Sequence, residues 1–384
     1  MSGSRASLTT TARRYSSALY FAAALAPAAL WTGGSAQAAD ETFSRIATIQ
    51  VPGNPLASFD ISWVDPVKEL YLLADRSNKS LDVFSTDSNT LLFQVPGFVG
   101  FTGNNDTSGP DGVLTVHHQE AWVGDGNSTV KVVDLKTRSI VDTISTGGTA
   151  RADELCFDQR DELIMIANDA DSPPFVTFIS TKPGHAILKK IPLANATNGL
   201  EQCVWWQETG LIYLAVPEIN GNKGHGEIAV FDPKTLSLVN AFPQNCEPAG
   251  LTIGPDGQAM IGCNDTNGIR IINLRNGSVV QTFAINGADE SWFNPGDNHY
   301  FVAAANNTGG RVLAVIDADP IHLDQTISTG VGAHSVAADP QTNHVFLPRR
   351  PIPSDPACTH GCIEVYAAQH DDATEHRQEA AEHH

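Results

Sequence analysis

Basic residues are scarce in this chain: 23 Lys and Arg stand against 43 Asp and Glu over 384 residues, a net charge of −20. A surface of that sign repels phosphate backbones and anionic headgroups, which disfavours nucleic acid as a partner. Long apolar runs are scarce too. The longest, Ala18 to Trp31, falls short of the ~20 residues a membrane span needs, and no later segment approaches one. Six cysteines in a chain this long do not make a disulfide-stapled mini-protein. There is no Gly-x-Ser-x-Gly elbow, no P-loop and no His-Glu-x-x-His, so neither a nucleotide nor a motif-defined hydrolase is indicated. Cys358 and Cys362 are spaced wrongly for haem attachment, and no haem is expected. No 3.6-residue apolar stripe of useful length occurs, which argues against a helical solenoid.

What is present begins with a leader. Residues 1–38 carry Arg5, Arg13 and Arg14 and no acid; the apolar run follows, then Ala36-Gln37-Ala38. Those three parts read as a secretory signal peptide cleaved after Ala38, and so as a secreted or periplasmic protein. Cleavage removes three positive charges and lowers the net charge from −20 to −23. With 41% hydrophobic residues the remainder can bury a large core, and 32 Gly and 22 Pro make it turn often.

One pattern then recurs through residues 39–368. An alternating apolar strand ends near Asp, Asn or Ser, a polar turn follows, and a second strand leaves it. Clear copies end at Asp134, Asp232, Asn273 and Asp317, weaker ones at Ser85, Ser180 and Ala367. These ends lie 41 to 52 residues apart, with a mean of 47. Each unit holds four strand-like runs; in the fifth they are 250–253, 258–262, 268–273 and 278–284. A period of ~40–50 with four short strands per unit marks a β-propeller. Seven copies predict an all-β, seven-bladed propeller of four-stranded blades. The last copy supplies only three strands, and 43–51 is a spare one at the other end. That N-terminal strand is expected to complete the last blade and remove an open sheet edge. The polar residues 369–384 read as a disordered tail.

Val130–Gly147 (VKVVDLKTRSIVDTISTG), and Ile316–Gly332 with the following His334–Thr342, resemble the YVTN/YncE-like repeat family. The resemblance spans Ile46 to Ala368 and implies a seven-bladed propeller. The wider group of similar propellers includes lactonases, amine-dehydrogenase subunits and plain binding proteins.

Propeller function sits on the face where inner strands begin, because loops there vary over a rigid scaffold. Six residues back from each inner-strand turn stand Asp60, Asp111 or Gly112, Asp153, Glu201, Ala249, Asp289 and His334, with Glu154, Glu247 and Glu290 adjacent. Carboxylates converging on a channel mouth raise one another's pKa unless a cation offsets them. With a histidine they suit Ca²⁺, Mg²⁺ or Mn²⁺, and Zn²⁺ less well. Glu201, Asp289 and Asp153 are the expected metal ligands. Asp153, Glu154 and His334 are the expected catalytic groups, and Asp60, Asp111 and Arg349 are expected to contact a small-molecule ligand. Arg349 either pairs with ring carboxylates or clamps an anion. Three readings follow: a ligand- or cation-binding propeller, a metal-assisted lactone or ester hydrolase with Asp153 or Glu154 as general base, and a protein-interaction scaffold using the rim. Cys358–Cys362 and Cys246–Cys263 are expected disulfides, while Cys156 and Cys203 are expected to be buried free thiols.

Overall fold

The computed structural model describes residues 41–369. These form 28 strands in seven four-stranded sheets. In six sheets the strands follow chain order. In the seventh, Ala337–Asp339, His344–Arg349 and Cys362–Gln369 are joined by Thr42–Gln50, which pairs antiparallel with Cys362–Gln369. The ring is thus closed by the N-terminal strand, as expected. Gln369, assigned above to the tail, pairs with Thr42 as the last residue of its strand. The leader at 1–38 and the tail at 370–384 fall outside the described residues.

The repeat signature has a local cause. The third strand of blade 2 ends at Asp134, whose Oδ1 accepts from the backbone N–H of Lys136 (2.8 Å) and Thr137 (2.7 Å). Asp232, Asn273 and Asp317 accept in the same way from Lys234, Arg275 and Asp319. A short side-chain acceptor at this point closes the turn, which is why the copies end on Asp or Asn. In every blade the register of the outermost strand pair shifts by a bulge, as between Val132 and Val133 or Val315 and Ile316. Bulges add twist, and twisted sheets pack radially.

The core lies between blades. Seven apolar clusters fill the seven interfaces. Between blades 3 and 4, for example, Met165 and Phe178 meet Ile212 and Phe231, all fully buried. Both faces of each sheet are therefore covered, and middle strands such as Leu163–Asn168 are buried throughout.

Three disulfides are present. Cys246–Cys263 and Cys358–Cys362 form as expected. Cys156 and Cys203, expected as free thiols, are instead bonded to each other across blades 3 and 4, with a Cα–Cα distance of 5.6 Å. They hold the same phase on consecutive inner strands, which converge on the channel closely enough for disulfide geometry. Three such bonds fit an oxidising, extracellular-type environment. Among the described residues no helix is long and apolar enough to cross a membrane.

Candidate functional site

The ring residues are pinned by a repeated backbone contact. Asp60 N–H donates to the Ala74 carbonyl, Asp153 to Ala167, Glu201 to Ala215 and Asp289 to Ala303, at 2.8–3.0 Å. The same alanines donate back to the next residue in each case, Ile61, Glu154, Gln202 and Glu290. In blade 2 the partner of Asp111 is Gly124. A Cβ on Gly124 would lie 2.3 Å from the Ala152 carbonyl of the next blade, so the small residue is required there. Five of the seven inner strands therefore present the residue that opens them at the same point.

That arrangement encloses a cavity of about 380 Å³ at the channel mouth. Asp60, Asp153, Glu154, Glu201, Asp289, Glu290 and His334 line it. Asp111 is fully buried at its edge. Two arginines absent from the expected set also enter the site. Arg76, just past the second strand of blade 1, bridges Asp60 and Asp111. Arg151, two residues before Asp153, reaches Asp153 at 2.7 Å and grips Asp169 through Nη2 (2.8 Å) and Nε (3.1 Å). Its Nη1 lies 3.8 Å from Asp60. Both arginines emerge from loops whose composition has no periodicity, so the strand-phase reasoning that finds the acids passes over them. The cue was a cation close in sequence to an acid, Arg-Ala-Asp at 151–153 and Asp-Arg at 75–76.

Arg349, placed with the ligand-contacting groups above, has another partner. It is paired with Glu364 inside its own sheet, and Tyr366 donates to the other oxygen of Glu364 at 2.7 Å. It pairs with no ring carboxylate. The neighbouring Arg350 lines the cavity, as does Arg311. Both are exposed.

The electrostatics set Asp60 apart from the other acids: burial pushes Asp111 and Asp153 well up even though arginines engage them. Burial would raise the pKa of Asp60, but Arg76, the His334 hydrogen bond and Arg151 hold it well below the carboxylate range. Glu154, Glu201, Asp289 and Glu290 go the other way. Burial pushes each up, and mutual repulsion adds to it: Glu290 acts on Glu154, and Asp289 acts on Glu201 and Glu290. Glu154 and Glu290 share a hydrogen bond. Like charges in such contact favour a proton on one of the two. His334 stacks on Phe59 at 4.8 Å, and its Nδ1 contacts the Gly332 carbonyl at 2.8 Å. Burial would lower its pKa, but Asp60 and Asp289 raise it.

Two groups of three side chains bring ligand atoms within 4.8 Å of one another among the described residues: Asp60/Asp111/Asp153, and His299/Asp317/Asp324 in blade 6. The first is already bridged by guanidinium groups. Of the expected metal ligands Glu201, Asp289 and Asp153, only Asp153 belongs to it.

The opposite end of the channel holds a second cavity, of about 610 Å³, lined by Trp63, Leu114, Leu155, Phe157, Trp205 and Ile253. His117 and His118 stand at it as well. His118 contacts Asp65 at 2.9 Å, and His117 packs edge-on against Phe157.

Fold and site together define a seven-bladed β-propeller with an acidic, arginine-braced channel mouth, an architecture suited to a binding or scaffold role. Compared with known proteins, the chain matches no family profile and no curated relative.

Proposed function

We propose that this is an exported propeller whose channel mouth binds a hydrated divalent cation at Glu154, Glu201, Asp289 and Glu290. One observation carries the reading. The two inward arginines are engaged by Asp60, Asp111, Asp153 and Asp169, which leaves the other four carboxyls in one cavity with raised pKa values and no ion-pair partner among the described residues. A cation would relieve that repulsion. The four do not close into a compact set of ligand atoms, which suits Mg²⁺ or Ca²⁺ retaining water better than a tightly caged ion. Arg311 and Arg350 at the rim supply a place for the anionic group of a small polar ligand. The resemblance to YVTN/YncE-like repeats agrees with a binding propeller, and the leader pattern at 1–38 with export.

The test is calorimetric titration of the purified chain with Ca²⁺, Mg²⁺ and Mn²⁺, repeated on Glu201→Gln. Binding that weakens at least tenfold in the variant supports the reading. No heat from any of the three ions, or an unchanged affinity in the variant, removes it.

A second reading rests on the Glu154–Glu290 pair. A carboxyl and a carboxylate sharing one proton can act as general acid and general base. The reaction would be hydrolysis of a lactone or ester, with Asp153 fixed by Arg151 and His334 beside Asp60. A bound cation would supply a polarised carbonyl or a more acidic water there. A lactone panel on the wild type and on Glu154→Gln decides it: turnover lost in the variant supports hydrolysis, and no turnover by the wild type leaves binding alone.

A further inference from the structure

The lower cavity shares no lining residue with the channel mouth. Its volume of about 610 Å³ falls within the ~300–1,000 Å³ of small-molecule sites. The inner strands of five consecutive blades wall it. They supply Trp63 from Ser62–Asp65, Leu114 from Val113–Val116, Leu155 and Phe157 from Leu155–Asp158, Trp205 from Cys203–Trp206 and Ile253 from Pro248–Ile253. Trp292 of blade 6 stands edge-on to Trp63, with ring centroids 5.2 Å apart. The buried indole N–H groups of Trp63 and Trp205 have no hydrogen-bond partner. A buried indole N–H ordinarily finds one, so these rings serve by the aromatic surface they offer.

Polar groups gather at one part of the wall, and turn length puts them there. In blades 1 and 3 the first two strands are joined through 66–69 and 159–162, and Asp65 and Asp158 accept from backbone N–H groups of the turn. In blade 2 Val116 pairs with Glu120, so 117–119 alone make the turn. The Gln119 N–H closes it on the Val116 carbonyl at 3.1 Å, and His117 and His118 both hold positive φ, 52° and 56°. Those positions ordinarily take Asn or Gly. Both imidazoles line the cavity. His117 packs edge-on against Phe157 at 5.5 Å. His118 Nδ1 lies 2.9 Å from each oxygen of Asp65, which also accepts from the Val67 and Lys68 N–H groups. A carboxylate only accepts, so Nδ1 carries the proton and Nε2 of the neutral ring is an acceptor. Nε2 has no hydrogen-bond partner among the described residues, and the side chain is 47% exposed.

These features select a ligand class. Indole and phenyl walls favour a flat aromatic molecule. No Lys or Arg lines the cavity and the chain carries a net charge of −20, which disfavours an anion. Asp65 is fully buried, but three donors already meet its charge, so it asks for no cation. The acceptor left open is His118 Nε2. We propose that the lower cavity binds a neutral aromatic alcohol of the phenol class, with its hydroxyl donating to His118 Nε2 and its ring among Trp63, Phe157 and Trp205.

The experiment is calorimetric titration of the purified chain with β-naphthol, its methyl ether and β-naphthoate. The wild type is expected to bind one equivalent of β-naphthol, the ether about fivefold more weakly for want of the donor, and the naphthoate not at all. His118→Phe keeps a ring at an exposed position and removes the acceptor, so it is expected to bind the alcohol and the ether alike. Val204→Trp fills the cavity and is expected to abolish binding of both, with a thermal melt showing that the variant is folded. Gln207→Trp, at an exposed position of the same wall, replaces it should the first variant not fold. No saturable heat with β-naphthol, equal affinity of the wild type for alcohol and ether, a preference for the alcohol that survives His118→Phe, or unchanged binding in the folded filled variant each overturns the proposal. The two cavities share no residue, so failure here is separable from failure at the channel mouth.

Discussion

At the upper mouth of the channel Asp60, Glu154 and Glu201 line one cavity; three or four residues further along the same inner strands, Trp63, Phe157 and Trp205 line the other. At ~3.3 Å per residue the switch from carboxylate to aromatic takes about 10–13 Å. Both ends rest on the same strands and the same alanine contacts, so the difference is one of side chains alone. The lower end is lined by apolar side chains and the Cys156–Cys203 bond. The upper end pays for buried charge with two arginines, and they cover only half of the acids. The uncovered half is where the proposed cation would bind.

The sharpest way to break the comparison is Arg76→Met. It strands Asp60 and Asp111 in a buried site, and uncompensated buried charge costs about 3–5 kcal/mol. Urea denaturation reads that loss, and adding Asp111→Asn recovers part of it. At the lower end, replacing Cys156 and Cys203 with serine opens a loop whose ends are 47 residues apart. The expected loss is about 2–4 kcal/mol, with no change in cation binding at the mouth. A smaller effect, of opposite sign, belongs to Glu290→Gln. The Glu290 pKa is raised on folding, so its stabilising contribution is full below the unfolded value of ~4.3 and is lost as pH rises through the folded value. At neutral pH the glutamine variant should therefore melt slightly higher than the wild type, and that gap should close on acidification. Asp60 has the reverse sign: its contribution is present above ~3.9 and lost as pH falls. The smallest change is Arg311→Ser with Arg350→Ser, within about 0.5 kcal/mol in stability but weakening any anionic ligand at the rim.

The architecture was legible because its signal is repeated. Asp134, Asp232 and Asp317 do the same turn-closing work in three blades, and counting back from each inner-strand turn put Asp60, Asp153, Glu201, Asp289 and His334 at one mouth. Arg76 and Arg151 do not repeat, so phase could not find them. Arg349 was read from its position after a strand, whereas its partner Glu364 lies on the adjacent strand of the same sheet. The cysteine pair was seen to share a phase but not to share a contact, because the spacing of neighbouring inner strands is a property of the closed ring and not of either segment.

The most direct test of the channel-mouth account is anomalous scattering from crystals of the full chain grown with Mn²⁺. The account predicts a peak in the upper cavity among Glu154, Glu201, Asp289 and Glu290, absent from Glu201→Gln crystals. Crystals saturated with Mn²⁺ that show no peak in that cavity would contradict it.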